Sequence, residues 1–422
     1  MLVKAEYDAF LKEYWDEGKR EVLVYQNRPL LAMVQKDEDA GGENWVIPID
    51  LDWGADGGPT FSDAQAVAQA SGTDQQAKQF VVQWQEDFQI AQLRNAVARV
   101  SRKTPKLALE KAANLTKKKQ DILAARVARN MYKSGYNDIG TIDTGVSALS
   151  TKIIGLTQAI DARNFHIGQR LVFASSLTAA LRDSGDFLSV VSIDYENRKI
   201  LTDAPTDLST SITGIANSDK IFIKGGRGTG ASPALLAFQG LPAWITDSAP
   251  SAGDSFNGQD RSVWADRMAG LRYPASGTIS GPVHEIMIDA LVDAAIREVY
   301  CSRSFIDPKK YGEAIKALEG TRQRTDVKEQ VGRVGFTGVQ LDIGYGSEGC
   351  KMFPDANCSA NYAYNLTLDT WKMPTLGPLI QNDLTEGEAR DVENASAVEY
   401  RYVFHGAFGT DAPGKNQVVK FA

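Results

Sequence analysis

The sequence predicts an α+β protein of two or three domains, and three features support this prediction. The chain has 422 residues, which is more than one hydrophobic core usually organises. Residues 106–133 contain no glycine or proline and are helical in character. Short strand-like segments separated by turn residues fill much of the rest. Helices set among separate antiparallel strands are typical of the α+β class.

The first residues predict a short amphipathic helix. Within residues 5–18, apolar side chains recur at helical spacing and share one stripe: Tyr7, Phe10, Leu11 and Tyr14. The surrounding residues are charged, and they lack the apolar core of a secretory signal. No window approaches the roughly 20 apolar residues that a membrane span needs. We therefore expect a protein without a membrane segment that stays in the cytoplasm where it is made.

A long hairpin is predicted between residues 42 and 92. Its first strand contains Pro48, which favours an edge position, and its second alternates through Phe80, Val82 and Trp84. A glycine-rich polar tip joins them. Such a ribbon is marginally stable alone, and the sequence shows no compact core for it. We expect it to lie on a second subunit, with Trp45, Trp53 and Trp84 either as anchors there or packed within the hairpin.

The long helix carries a basic run. Proline can begin a helix, so the break at Thr104-Pro105 marks the start in the sequence, and 28 residues span roughly 42 Å. Cations along it include Lys117, Lys118, Lys119, Arg126 and Arg129. One interpretation is a patch that contacts nucleic acid or an acidic neighbour; the other is an ordinary solvated helix face.

Two further regions complete the prediction. Residues 164–224 contain short strands with a hairpin turn at Glu196-Asn197, which predicts a small β-barrel. Residues 283–300 predict a helix, and a second helix begins with Asp307 as N-cap and Pro308 at its first position. Strands follow to the end of the chain. The first helix is expected to bury one face, made of Ile288, Leu291, Val292, Ala295 and Val299.

Nothing in the sequence predicts catalysis. The three histidines, His166, His284 and His405, are far apart and match no zinc motif. The glycine-rich stretch 224–230 lacks the GK[ST] ending of a phosphate-binding loop. The odd number of cysteines predicts reduced thiols. A net charge of −7 is unlike a dedicated nucleic-acid binder. We predict a protein that is not an enzyme and has no cofactor and no metal.

Several long segments, in this order, resemble the major capsid proteins of tailed bacteriophages, which share the Johnson fold with encapsulins and herpesvirus capsid floors. Residues 187–226, 235–245, 349–373 and 399–421 carry the resemblance together with the hairpin and the long helix. The resemblance implies an arm at 1–41, an extended E-loop at 42–92, and a P-domain part with the spine helix at 93–163. It further implies a barrel-like insertion at 164–224, an A-domain at 225–375 and closing strands at 376–422. The break at Pro105 departs from an uninterrupted spine region.

The resemblance also implies a function. Hexamers and pentamers of one chain would form the icosahedral head of a tailed phage around double-stranded DNA, assembled in the host cytoplasm and found in the virion. Tyr7, Phe10 and Tyr14 would join the arm to an adjacent subunit, and the basic helix face would contact the DNA weakly. A separate scaffolding protein, a portal and a decoration protein are implied partners. The alternatives are an encapsulin-like compartment shell and another phage structural protein, such as a tail-tube or decoration subunit.

Overall fold

A computed structural model describes residues 28–52, 76–94, 105–144, 149–230, 233–319, 326–331, 334–341, 349–382, 390–391 and 397–422. The chain divides into two compact units. Unit 1 consists of Met1–Leu31, Gln85–Ala243 and Leu379–His405, and unit 2 of Ala32–Trp84, Trp244–Pro378 and Gly406–Ala422. Each unit is therefore discontinuous in sequence.

Strands and helices are interspersed along the chain. The strands are β1 Gln35–Asp37, β2 Asn44–Asp52, β3 Gln76–Gln83, β4 Gln85–Arg94, β5 Asp138–Thr141, β6 Ile153–Gly155, β7 Arg170–Ala174, β8 Leu188–Asp194, β9 Lys199–Thr202, β10 Lys220–Ile223, β11 Ser255–Phe256, β12 Gln259–Asp260, β13 Leu271–Tyr273, β14 Arg303–Ile306, β15 Asp326–Val331, β16 Val334–Leu341, β17 Cys350–Pro354, β18 Tyr362–Leu366, β19 Trp371–Pro374, β20 Gln381–Asn382, β21 Arg390–Asp391, β22 Ala397–Gly406, β23 Gly409–Thr410 and β24 Gln417–Lys420. The α-helices are α1 Pro29–Met33, α2 Pro105–Asn130, α3 Leu208–Ser211, α4 Leu241–Trp244, α5 Ala265–Met268, α6 Val283–Ile296 and α7 Pro308–Glu319.

Helix α2 is the long helix that the sequence predicts. It begins at Pro105, where the ring fixes a helical φ, and its expected apolar positions Leu123, Val127 and Met131 are buried. It ends at Asn130 rather than at the predicted position 133. The backbone amides of Gly240 and Leu241 donate to the carbonyls of Lys133 and Met131, at 2.9 and 2.7 Å, so a distant segment completes the last turn.

A closed barrel forms the second part of unit 1. Its strand order is β5-β10-β7-β8-β9-β6, and an antiparallel bridge between Ile142 and Leu156 joins the two ends of the sheet. The predicted barrel is confirmed, with the expected hairpin β8–β9. The lower bound of 164 is wrong, because β5 and β6 precede it. The sheet closes only when these strands are included, and buried side chains from both ends, including Ile139 and Ile154, share its core.

A small sheet completes unit 1. Its strands run β20-β22-β21, and β4 also pairs with β22. The sequence placed β4 on the returning arm of the hairpin, up to residue 92. The structure instead gives β4 its own partner, β22, in which Glu399 lies 307 residues after its hydrogen-bond partner Gln92, and no local pattern specifies such a pairing.

Unit 2 contains a seven-stranded sheet of order β13-β24-β18-β14-β17-β16-β15. Most of its pairs are antiparallel, as predicted, but β13 with β24 and β14 with β17 are parallel. Helices α6 and α7 pack against this sheet through a common apolar core that includes Met287, Ile306 and Ala314. The α+β class is therefore confirmed.

Helix α6 buries a face that only partly overlaps the predicted one: Leu291 and Ala295 are buried as expected, whereas Ile288 and Val292 are not. Its buried residues are Val283, Ile286, Met287, Ala290, Leu291, Ala294 and Ala295. Ile288 and Val292 are only half-buried, and Ile296 is exposed. The helix is apolar over more than half its circumference, so packing rather than periodicity decides which stripe is inside. Helix α7 begins as predicted, because Asp307 Oδ1 accepts from the amide of Lys309 at 2.8 Å.

Strands β2 and β3 form the predicted antiparallel hairpin, in a register that pairs Ile47 with Phe80. One of its faces is buried within unit 2: Ile47, Ile49, Leu51, Phe80 and Val82. The expectation that this ribbon lacks a core in its own chain is therefore wrong for its strands. The aromatic residues that cover it, Trp244 and Phe256, lie about 170 residues away in sequence, so no local pattern could reveal them.

Candidate functional site

The base of the hairpin is fixed by an aromatic cluster in unit 2. The ring centroids of Phe80, Trp244 and Phe256 lie 5.0–5.6 Å apart in edge-on geometry. The Trp244 indole donates to the Phe408 carbonyl at 3.1 Å. A Cβ added to Gly409 would lie 2.6 Å from Trp244 and 3.0 Å from Trp45. The lack of a side chain at Gly409 lets the hairpin approach this closely.

The two described tryptophans of the hairpin make contacts within the chain. Trp45 packs over Gly409, and the Trp84 indole donates to the Gly42 carbonyl at 2.9 Å, across the hairpin base. Both side chains are half-buried. These contacts favour the interpretation that they pack within the hairpin and its own unit. Trp53 lies outside the described residues, as do Tyr7, Phe10 and Tyr14 of the arm.

The opposite face of the hairpin is exposed. Val46 and Val81 are paired directly across the two strands and are 49% and 36% exposed. Pro48 and Gln79, the next pair on this face, are also exposed. Large apolar side chains placed side by side in solvent mark an interaction surface more often than isolated ones do. The hairpin thus has an anchored inner face and an outer face that is available for contact.

The predicted basic face of α2 is only partly available. Lys117 and Lys118 are exposed and Lys119 is half-buried. The Arg126 guanidinium pairs with the Asp87 carboxylate and donates to Gln89 Oε1 at 2.9 Å, so it ties α2 to β4. Arg129 is buried and donates to Asn137 Oδ1 at 3.2 Å. Arg129 therefore cannot belong to a surface face, because its side chain fills the interior of unit 1.

A buried charge cluster joins the end of α2 to the barrel. Lys133 Nζ lies 2.8 Å from Asp138 Oδ2. Burial alone would raise the pKa of Asp138, but the charge and hydrogen bond of Lys133 and the charge of Arg129 outweigh it, and the pKa is lowered. Burial raises the pKa of Asp161 nearby. Burial also lowers the pKa of Arg129, to about 10. The cluster holds the end of α2 and the barrel together, and few of its atoms face solvent.

Sequence reasoning missed three exposed apolar side chains on unit 1. Phe88, Ile167 and Val191 are 54%, 75% and 46% exposed. The amide of Gly168 donates to Val190 O and the amide of Val190 donates to Gln169 O, at 2.7 and 2.9 Å, so the segment that follows Ile167 pairs with β8. No periodic signal marks these residues, because they lie on three separate segments of the chain.

Charged groups lie near two of these segments. Arg126 donates to the Phe88 carbonyl at 3.4 Å. Partial burial, together with the nearby charges of Arg126 and Lys119, lowers the pKa of His166, the residue before Ile167.

The other chemical candidates have structural roles. Arg227 of the glycine-rich stretch is buried against the Phe222 ring and donates to the Ala179 carbonyl. The three cysteines are buried and form no disulfide, and burial raises the pKa of the Cys350 thiol to about 12. Within the described ranges, no cluster of three or more metal-binding side chains occurs. Among the same residues, no helix is long and apolar enough to span a bilayer.

Comparison with known proteins finds similarity in structure alone. No protein-family model matches the sequence, and no curated protein matches it. The chain is similar to the cyanophage A-1(L) capsid asymmetric unit, with 11% identity, 93% of this chain and 92% of that chain covered, and a TM-score of 0.50.

Two further solved structures are less similar to the chain, with TM-scores below 0.5. The holo-SrpI encapsulin complex from Synechococcus elongatus gives 6% identity, 93% and 86% coverage, and a TM-score of 0.42. The capsid of the native GTA particle gives 9% identity, 94% and 91% coverage, and a TM-score of 0.39. The cyanophage match covers 93% of this chain. The chain has the phage capsid fold, the Johnson fold, and its unit 1 contains a closed β-barrel.

Proposed function

We propose that this chain is the major capsid protein of a tailed bacteriophage. Its copies would assemble into hexamers and pentamers, which form an icosahedral head around double-stranded DNA. The observation that carries the proposal is the capsid fold, matched over 93% of the chain at a TM-score of 0.50. Closed shells reuse the same surfaces of one chain in many places, so the protein is a structural subunit rather than an enzyme and its location is the virion.

The outer face of the hairpin is the surface that we assign to contact between copies. Val46 and Val81 present exposed apolar area on a ribbon whose other face is already anchored. An anchored ribbon costs less conformational entropy to bind than a free one. In the shell, this face would lie across a neighbouring subunit. The arm residues Tyr7, Phe10 and Tyr14 would join a further neighbour.

A weak contact with packaged DNA belongs to the same proposal. Lys117 and Lys118 are exposed on α2, and no ion pair involves them in the described part of the chain. Lysines contact phosphates without reading sequence, and such binding weakens as salt rises. A separate scaffolding protein, a portal and a decoration protein are the protein partners that we propose for assembly in the host cytoplasm.

Imaging of the expressed protein tests this function. We expect closed shells when the chain is produced together with its neighbouring phage genes, and nucleic acid inside filled particles. Tubes or rods would indicate a tail-tube subunit instead. Closed shells that hold protein cargo and no DNA would indicate an encapsulin-like compartment. A chain that stays monomeric under all these conditions would contradict the proposal.

A further inference from the structure

A row of polar side chains crosses the seven-stranded sheet of unit 2 beneath helix α6. Ser304 on β14 lies directly opposite Asn365 on β18, and Asn365 lies directly opposite Gln417 on β24. All three residues are fully buried. Gln417 Nε2 donates to the Ala290 carbonyl of α6 at 2.9 Å, which places the row between the sheet and the helix. Polar groups buried this deeply need hydrogen-bond partners.

The Ala290 carbonyl fixes the orientation of both amides in the row. A carbonyl oxygen can only accept, so the Gln417 amide directs Nε2 toward it. Gln417 Oε1 then accepts from Asn365 Nδ2 at 2.9 Å. Exchange of the nitrogen and oxygen in either amide would bring two acceptors together. Asn365 Oδ1 is therefore turned away from Gln417, and Ser304 lies on that side because β18 runs between β24 and β14.

Two polar atoms at this end of the row lack a hydrogen bond. Ser304 Oγ and Asn365 Oδ1 have no hydrogen-bond partner within the part of the chain that the structure describes. Residues directly opposite in an antiparallel pair have Cβ atoms about 4.5–5.5 Å apart, so one small group can reach both side chains. That group must accept from a hydroxyl and donate to an amide oxygen. Both atoms are neutral, which favours a neutral ligand over an ion.

We propose that a water molecule binds between Ser304 and Asn365, where it accepts from Ser304 Oγ and donates to Asn365 Oδ1. Water is the smallest neutral molecule with both functions. Buried waters in proteins make about two to four hydrogen bonds, typically to groups that have no other partner. The inference concerns the interior of unit 2 and does not depend on the proposed shell function.

The bound water extends one hydrogen-bond network over β14, β18, β24 and α6. This network opposes a shift in the register of β24. A shift by two residues would keep the same side chains on the buried face, but it would place Val419 opposite Asn365 where Gln417 now lies. Asn365 Nδ2 would then lose its acceptor, so the polar row selects one register among those that apolar packing allows.

A density map of the full-length chain that resolves ordered water tests the site, either in crystals of the subunit or in assembled particles. We expect a peak about 2.5–3.0 Å from both Ser304 Oγ and Asn365 Oδ1. The same map contains a control, because the buried Thr410 Oγ1 donates directly to Thr370 Oγ1 at 3.1 Å. No peak should lie between these two hydroxyls.

A pair of variants tests the partners of the water. Ser304→Ala should lose the peak, because one of its two partners is removed. Thr410→Ala, which also removes a buried hydroxyl from unit 2, should keep the peak beside Ser304.

Two results would overturn the proposal. The first is a wild-type map without a peak between the two side chains, whether Ser304 Oγ then bonds Asn365 Oδ1 directly or stays unbonded. The second is a peak that persists unchanged in Ser304→Ala, which would show that Ser304 does not hold the water. Particle imaging reports on shell formation separately, so failure of this site and failure of the capsid function remain distinguishable.

Discussion

Among the glycines that the structure describes in unit 1, Gly240 leaves the least room for an added methyl group. Its Cβ position lies 2.3 Å from the Asn130 carbonyl oxygen and 2.4 Å from that of Met131. Backbone atoms cannot move aside as a flexible side chain can. We expect Gly240→Ala to lower the free energy of unfolding by about 1–3 kcal/mol, the usual cost of overpacking, as measured by urea denaturation.

Gly312 provides the matched control for this substitution. It lies within helix α7 and has no heavy atom within 4 Å of its Cβ position. Gly312→Ala should stabilise the protein by about 0.5–1 kcal/mol, because alanine loses less backbone entropy in a helix. Equal urea denaturation midpoints for Gly240→Ala and Gly312→Ala would show that the end of α2 tolerates a shift of residues 237–241.

The buried pair of Lys133 and Asp138 predicts a dependence of stability on pH. A carboxylate whose pKa is lowered on folding stabilises the native state at pH values above its unfolded pKa of about 3.9. That contribution is lost as the pH falls through the lowered, folded value. We expect Asp138→Asn to cost about 1.5–3 kcal/mol at pH 7, and the difference from wild type to shrink below about pH 4.

Unfolding curves between pH 2.5 and pH 7 measure this difference. The raised pKa of Asp87 acts in the opposite direction, but wild type and variant both contain this group, so its contribution largely cancels in the comparison. Burial and the charge of Asp138 both raise the pKa of Asp161, so Asp138→Asn also removes part of that shift. Asp186→Asn, at an exposed position of the barrel, should show no such trend. If the free energies of unfolding of Asp138→Asn and wild type differed by the same amount down to pH 2.5, the charge pair would not stabilise the fold.

At the scale of elements, the two faces of the hairpin should respond differently to substitution. Phe80 is fully buried against Trp244, and Phe80→Ala should destabilise the subunit by about 3–5 kcal/mol. The adjacent outer face should tolerate Val46→Lys combined with Val81→Glu. These positions are paired across the strands, so the opposite charges retain a favourable cross-strand contact.

The double variant should therefore melt like wild type and yet fail to form shells, because its apolar outer area is gone. Calorimetry measures the first property and electron microscopy the second. Normal shells from the double variant would show that the outer face is not an assembly contact. A large loss of stability would show that this face is also packed within the subunit.

At the scale of the whole molecule, the tip of the hairpin should matter for assembly and not for folding of the monomer. We expect deletion of residues 55–72 to leave soluble, folded subunits, since the β2–β3 register and its buried face lie in the retained strands. The same deletion should block normal shells. Circular dichroism and electron microscopy of the deletion variant test the two expectations, and intact particles would contradict the second.

The sequence by itself determined the elements that local patterns encode. Pro105 and the absence of glycine specify the long helix, Asp307 and Pro308 specify the start of α7, and the turn at Glu196-Asn197 specifies the β8–β9 hairpin. The order of the segments, together with residues 187–226, 235–245, 349–373 and 399–421, was enough to indicate the capsid fold. These signals are readable because each depends on residues that are close along the chain.

Only the tertiary structure decided which surfaces are buried and which remain exposed. It placed the inner face of the hairpin on Trp244 and Phe256, buried Arg129 within the predicted basic face, and closed the barrel with strands from before residue 164. It also left Phe88, Ile167 and Val191 exposed. In each case the partner lies far away in sequence, and burial depends on packing between distant segments, which hydrophobic periodicity does not record.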